Sequence, residues 1–105
     1  MLVNVQLLDE LGACEDWIAE FENAYPDGVD FNPKDKASVL DAVAKGLGPR
    51  IDWLYMMTGD DAWRIDLRDT DLRGANLEDC GFHGANLAGA DLTGANLKGA
   101  YLSGV

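Results

Sequence analysis

The sequence predicts an acidic helical segment joined to a short solenoid, and three observations carry that expectation. Residues 65 to 104 repeat with a period of five. Residues 1 to 64 place apolar side chains at helical spacing. The formal net charge of −11 is concentrated in that first part.

From Ile65 to Gly104 the chain reads IDLRD, TDLRG, ANLED, CGFHG, ANLAG, ADLTG, ANLKG and AYLSG. The middle positions are Leu67, Leu72, Leu77, Phe82, Leu87, Leu92, Leu97 and Leu102. Two residues before each stands a small or modest side chain, alanine in five of the eight units, and six units end in glycine. Helices repeat at 3.6 residues and strands at 2, so neither explains a period of five. A fixed short period means units stacked on copies of themselves.

This pattern resembles the pentapeptide-repeat family, whose usual unit is A(D/N)LxG. The resemblance covers residues 65 to 104 and implies a right-handed β-helix with four units to one square turn. Joined to the helical reading of residues 1 to 64, this gives the expected fold class, α + β-solenoid: an N-terminal helical cap on a short right-handed quadrilateral β-helix of about two turns. The resemblance places the middle residue inside, together with Ile65, Thr70, Ala75, Cys80, Ala85, Ala90, Ala95 and Ala100. Terminal glycine suits a turn with unusual backbone angles.

In residues 1 to 64, Leu7, Leu11, Cys14, Ile18, Phe21 and Tyr25 step by fours and threes and predict one amphipathic helix, with Gly12 on its exposed side. Met1 to Val5 fit either a strand or the start of that helix. Pro26-Asp27-Gly28 predicts a turn. Asn32 is the expected N-cap of a second helix, with Pro33 at its first position and Asp35 in its first turn. That helix would bury Leu40, Val43, Ala44 and Leu47 and end at Gly46 and Gly48. Pro49 opens a third helix, Arg50 to Thr58, closed by Gly59. Asp60 to Arg64 join the two domains, 1–64 and 65–105.

The first domain holds 13 acids against 5 bases, net −8, and the repeats 6 against 3, net −3. Such a chain is not expected to bind nucleic acid or an anionic membrane directly. Cys14 and Cys80 read as small buried hydrophobes without metal-ligand spacing. The start, MLVNVQLLDE, is too polar for a signal peptide, and no apolar run reaches transmembrane length. A reducing cytoplasm is the expected compartment. No nucleophile motif accompanies the one histidine, His83, and no phosphate loop or metal signature occurs. The expectation is a protein that is not an enzyme, without cofactor or metal.

Two turns leave two outer faces of unpaired backbone. The helical domain would cover the first. The second, with Tyr101, Leu102 and Val105, is a candidate interface for a homodimer. The charge suggests another partner, a nucleic-acid-binding protein with a basic cleft. On the first helix Asp9, Asp16 and Glu20 fall opposite the apolar stripe and form a ridge spaced at about 10 and 6 Å, comparable with successive phosphates. On the solenoid Asp71 would stack over Asp91, with Asp66 nearby. Pentapeptide-repeat proteins similar to this one include acidic rods that occupy the DNA site of gyrase-type topoisomerases, although two turns rise only about 10 Å. In size and charge the chain also resembles phage-encoded inhibitors of host defence nucleases, anti-CRISPR proteins among them. The sequence therefore points to an acidic nucleic-acid mimic that inhibits its target. The alternative is an interaction scaffold that self-associates through its last turn.

Overall fold

The computed structural model describes residues 1–102. A two-residue strand β1 (Leu2–Val3) leads into helix α1 (Val5–Glu10), followed by α2 (Glu15–Ala24), β2 (Val29–Asp30), α3 (Lys36–Ala42) and α4 (Trp53–Thr58). β1 and β2 pair antiparallel, Val3 opposite Val29. Wider and tighter turns, Val43–Leu47 and Gly48–Arg50, join α3 to α4, and a last single turn, Asp61–Trp63, precedes the repeats.

The expected first helix is two helices. Gly12 stands at φ +86°, which a right-handed helix does not tolerate. Its N–H donates to the Asp9 carbonyl and the Ala13 N–H to the Leu8 carbonyl, the paired bonds that close a helix around a left-handed glycine. The four–three stepping of apolar residues therefore runs across a break. Leu8 is fully buried, Leu7 and Leu11 only partly, and Cys14 is exposed at the start of α2. Trp17, Phe21 and Tyr25 do reach the core, with ring centroids 6.0 and 5.7 Å apart along the row.

The second helix starts three residues later than expected. Asp35 is its N-cap and accepts the Ala37 N–H at 3.2 Å. Asn32 instead closes a local turn by accepting the Lys34 N–H at 2.9 Å, and Pro33 lies buried before the helix. With the helix rotated, Val39, Ala42 and Leu47 are buried, Leu40 and Val43 partly so, and Ala44 is exposed. α3 itself ends at Ala42, earlier than the expected stop at Gly46 and Gly48, and Gly46, at φ +85°, kinks the wider turn that follows. The third expected helix is split, with α4 beginning only at Trp53, and Gly59 closes it in the left-handed conformation.

Residues 65–102 form the solenoid segment. Single parallel bridges join Asp66 to Asn86, Asp71 to Asp91, Asn76 to Asn96 and Gly81 to Tyr101. Every bridge spans twenty residues, so each of the first four units stacks on the unit four places later. The N–H groups of Asn86, Asp91, Asn96 and Tyr101 donate to the carbonyls of Ile65, Thr70, Ala75 and Cys80 at 2.9 to 3.0 Å. Between units the chain turns through a bond from the next first-position N–H to the middle-position carbonyl, as in Ala75 to Leu72 at 3.1 Å. The last residue of a unit lies within that turn and takes positive φ. Two units end in aspartate. Asp69 and Asp79 adopt φ of 56° and 59°, which aspartate tolerates better than most residues. Their carboxylates lie against Gly89 and Gly99, where a Cβ would collide with them.

The helical segment meets the first four units through backbone as well as side chains. The Pro33 carbonyl accepts the Asp66 N–H at 3.0 Å and the Gly48 carbonyl accepts the Gly81 N–H at 2.9 Å. One apolar cluster runs from Val3 and Leu8 to Phe82 and Ala85. Burial is uneven across the stack. Leu67, Leu72, Leu77 and Phe82 are at most 1% exposed, whereas Leu87, Leu92 and Leu97 are partly buried and Leu102 is 40% exposed.

Truncating equivalent positions reads this gradient. Leu77→Ala is expected to cost about 2–5 kcal/mol, the range for a fully buried leucine. Leu97→Ala should cost clearly less in the same urea titration. Equal losses would mean that the two sets of units are equally enclosed.

Candidate functional site

Three groups of side chains are candidates: the acids of α1 and α2, the acids along the solenoid, and the seam between helices and repeats. Asp9, Asp16 and Glu20 are all exposed. The break at Gly12 puts Asp9 on α1 and the other two on α2, so the three do not form one ridge. Only Asp16 and Glu20, four residues apart on α2, keep a spacing of about 6 Å. Glu20 faces Arg50 Nε at 3.4 Å, and that guanidinium also lies 5.3 Å from the centre of the Trp17 ring.

On the solenoid Asp71 does stack beside Asp91. These two carboxylates share one counterion. Arg73 donates from Nε and Nη2 to the two oxygens of Asp71, each at 2.9 Å, and its Nε lies 3.8 Å from Asp91. The side-chain bond from Arg73, then the Arg73 N–H and charge, with Lys36 beyond, hold the Asp71 carboxyl far below the usual carboxylate range. Arg68 Nε bonds Asp66 at 3.0 Å. A pair already neutralised in this way contributes little field to an approaching partner. Tyr101 and Leu102 are exposed, as an interface would need. Val105 lies outside the described residues.

The seam holds a group that sequence reading missed. Asp52 is the only buried charged residue among those described, 4% exposed. Its Oδ2 accepts the His83 backbone N–H at 3.0 Å and lies 2.6 Å from His83 Nδ1. The His83 ring stacks on Tyr101, with centroids 5.3 Å apart and planes at 22°. Tyr55 packs against Gly84, and Gly48 against Cys80 Sγ. Asp52 stands at the N-cap position of α4, yet its side chain makes no capping bond. The signal that could have found it is Gly81, the only glycine at a second position of the repeat.

Two cavities were candidates for a small ligand. One, of about 40 Å³, lies among Val3, Trp17, Phe21, Tyr25, Ile51 and Leu54. It is far below the roughly 300 Å³ of ordinary ligand sites. The other, of about 240 Å³, is an open cleft between Val43, Gly48, Pro49 and the side chains of Asn76, Glu78 and Asp79. No group of three or more His, Cys, Asp or Glu suited to a metal ion occurs among the described residues. No helix among the described residues is long and apolar enough to cross a membrane.

Residues 65–104 match the family model of pentapeptide repeats in eight copies. No curated protein and no solved structure matches the chain.

The cysteines separate cleanly. Burial, with Asp79 and Asp52 adding to it, pushes the Cys80 thiol up to about 11, so it carries almost no thiolate at neutral pH. Cys14 is exposed. One thiol per chain is expected to react with Ellman's reagent in the native protein and two in denaturant. Two in the native state would contradict the burial of Cys80.

Proposed function

We propose that the chain is a non-enzymatic interaction module in which residues 1–64 cap one end of a two-turn, right-handed, quadrilateral β-helix and the other end receives a partner. Pentapeptide-repeat proteins are generally structural or interaction proteins, and residues 65–104 are eight such repeats. The observation that carries the reading is the gradient of burial. The leucines of the first turn are sealed, while those of the second are partly open and end in Tyr101, 57% exposed, and Leu102. The outward N–H and carbonyl groups of the second turn form an edge that invites pairing.

The partner we favour is a second copy of the chain. Two molecules of net charge −11 repel each other over most of their surfaces. Residues 85–102 contain one acid, Asp91, and one base, Lys98, so this end is neutral and gives the least repulsive approach. Its apolar rim supplies the attraction.

One observation favours a second reading. The net charge of −8 on residues 1–64 remains after every ion pair is counted, and Asp9 and Asp16 stay exposed on adjacent helices. A module carrying that charge could occupy the basic cleft of a nucleic-acid-binding enzyme and inhibit it. Such binding would weaken steeply with salt. It would weaken further when Asp9, Asp16 and Glu20 become amides.

Light scattering separates the readings. Self-association predicts a dimer that grows with concentration and is lost in Leu102→Lys. A strict monomer at millimolar concentration, together with salt-sensitive capture by an immobilised basic nucleic-acid-binding protein, would favour the mimic.

A further inference from the structure

We propose that Asp52 serves as a repeat side chain supplied from outside the repeat. It replaces the acceptor missing from the fourth unit and so fixes where the helical segment sits on the solenoid.

Six units carry Asp or Asn at the second position. In each, the side-chain Oδ1 accepts the backbone N–H two residues later, at 3.1 to 3.3 Å: Asp66 to Arg68, Asp71 to Arg73, Asn76 to Glu78, Asn86 to Ala88, Asp91 to Thr93 and Asn96 to Lys98. The ladder between stacked units does not use these N–H groups. The side-chain acceptor satisfies a donor that would otherwise depend on water.

The fourth unit reads CGFHG. Gly81 has no side chain, and the corresponding donor is the His83 N–H. Asp52 Oδ2 accepts it at 3.0 Å, close to the length of the other bonds. Gly81 is not needed for backbone conformation, because its φ is not positive. It is needed for space. A Cβ at residue 81 would come within 2.5 to 2.7 Å of the Asp52 carboxylate atoms.

Two irregularities thus explain each other. The one second-position glycine makes room for the one buried carboxylate, and that carboxylate performs the task of the side chain it displaces. A buried carboxylate requires partners, and His83 supplies them, its backbone N–H donating at 3.0 Å and its ring Nδ1 lying 2.6 Å away. Adjacent contacts hold the same register: the Gly81 N–H on the Gly48 carbonyl and the Tyr55 ring on Gly84. Any other of the first four units would meet the helical segment with its own Asp or Asn and clash with Asp52.

The test is a reversal of sign. Gly81→Asn in the parent puts two side chains in one space and should lower the melting temperature by about 5 °C or more. Asp52→Ala should lower it by a similar amount. In the Asp52→Ala background, Gly81→Asn should raise it, because the introduced amide oxygen can then accept the His83 N–H itself. If Asp52→Ala alone gives no folded protein, recovery of folded protein in the double variant reads the same effect. Amide exchange adds a local measure: His83 should be protected in the parent, fast in Asp52→Ala and protected again in the double variant. A double variant no better than Asp52→Ala, or an N–H of His83 indifferent to Asp52, would overturn the proposal.

Discussion

A β-solenoid has no self-limiting end. Each unit satisfies its backbone by lying on another, so the first and last units of any stack leave donors, acceptors and apolar interior without a neighbour. With each unit paired to the one four places on, eight units have only one shared ladder. The rest of this structure depends on how the first face is met. Pro33 and Gly48 place carbonyls above the N–H groups of Asp66 and Gly81, the positions that stacked repeats would otherwise fill. Leu47, Ile51 and Leu54 are buried in the same apolar cluster as the repeat leucines, and those leucines are sealed accordingly. The irregular turns between α3 and α4 follow from this demand. A regular helix bonds its carbonyls internally, whereas the loosened chain at Val43–Arg50 can turn one toward the solenoid.

The repeats were legible because their signal is redundant. Eight copies of one spacing average out the exceptions at Asp69, Asp79 and Gly81. The helical segment was read less well because single residues decide its geometry. Gly12 on a polar face looks harmless by periodicity, yet its left-handed conformation ends α1 and divides the expected acidic ridge. Asn32 and Asp35 are both good N-caps, and sequence offers no way to rank them. Asn32 closes a turn before a buried Pro33, which leaves the cap to Asp35 and rotates the buried face to Val39 and Ala42. Cys14 stood on the apolar stripe of a helix that does not exist as one piece.

Charge was read correctly as a sum and incompletely as a pattern. Residues at positions two and four of a repeat unit point the same way, so Asp66 meets Arg68 and Asp71 meets Arg73. That pairing is visible in IDLRD and TDLRG once the positions are known to share a face. The acids left without a counterion belong chiefly to the helical segment. The neutral, partly open last units and the acidic helical surface therefore lie in different parts of the chain, and the two functional readings rest on different residues.

The central proposal is that residues 1–64 make the solenoid possible by meeting its first face. The direct measurement is a thermal melt, followed by circular dichroism, of residues 65–105 alone beside the whole chain. The fragment loses the Pro33 and Gly48 carbonyls and the apolar cover of Leu67, Leu72, Leu77 and Phe82. At this length few chains bury enough surface to offset the loss of chain entropy. The account predicts no cooperative transition in the fragment and a cooperative one in the whole chain. A cooperative melt of the isolated repeats, near the temperature of the whole chain, would contradict it.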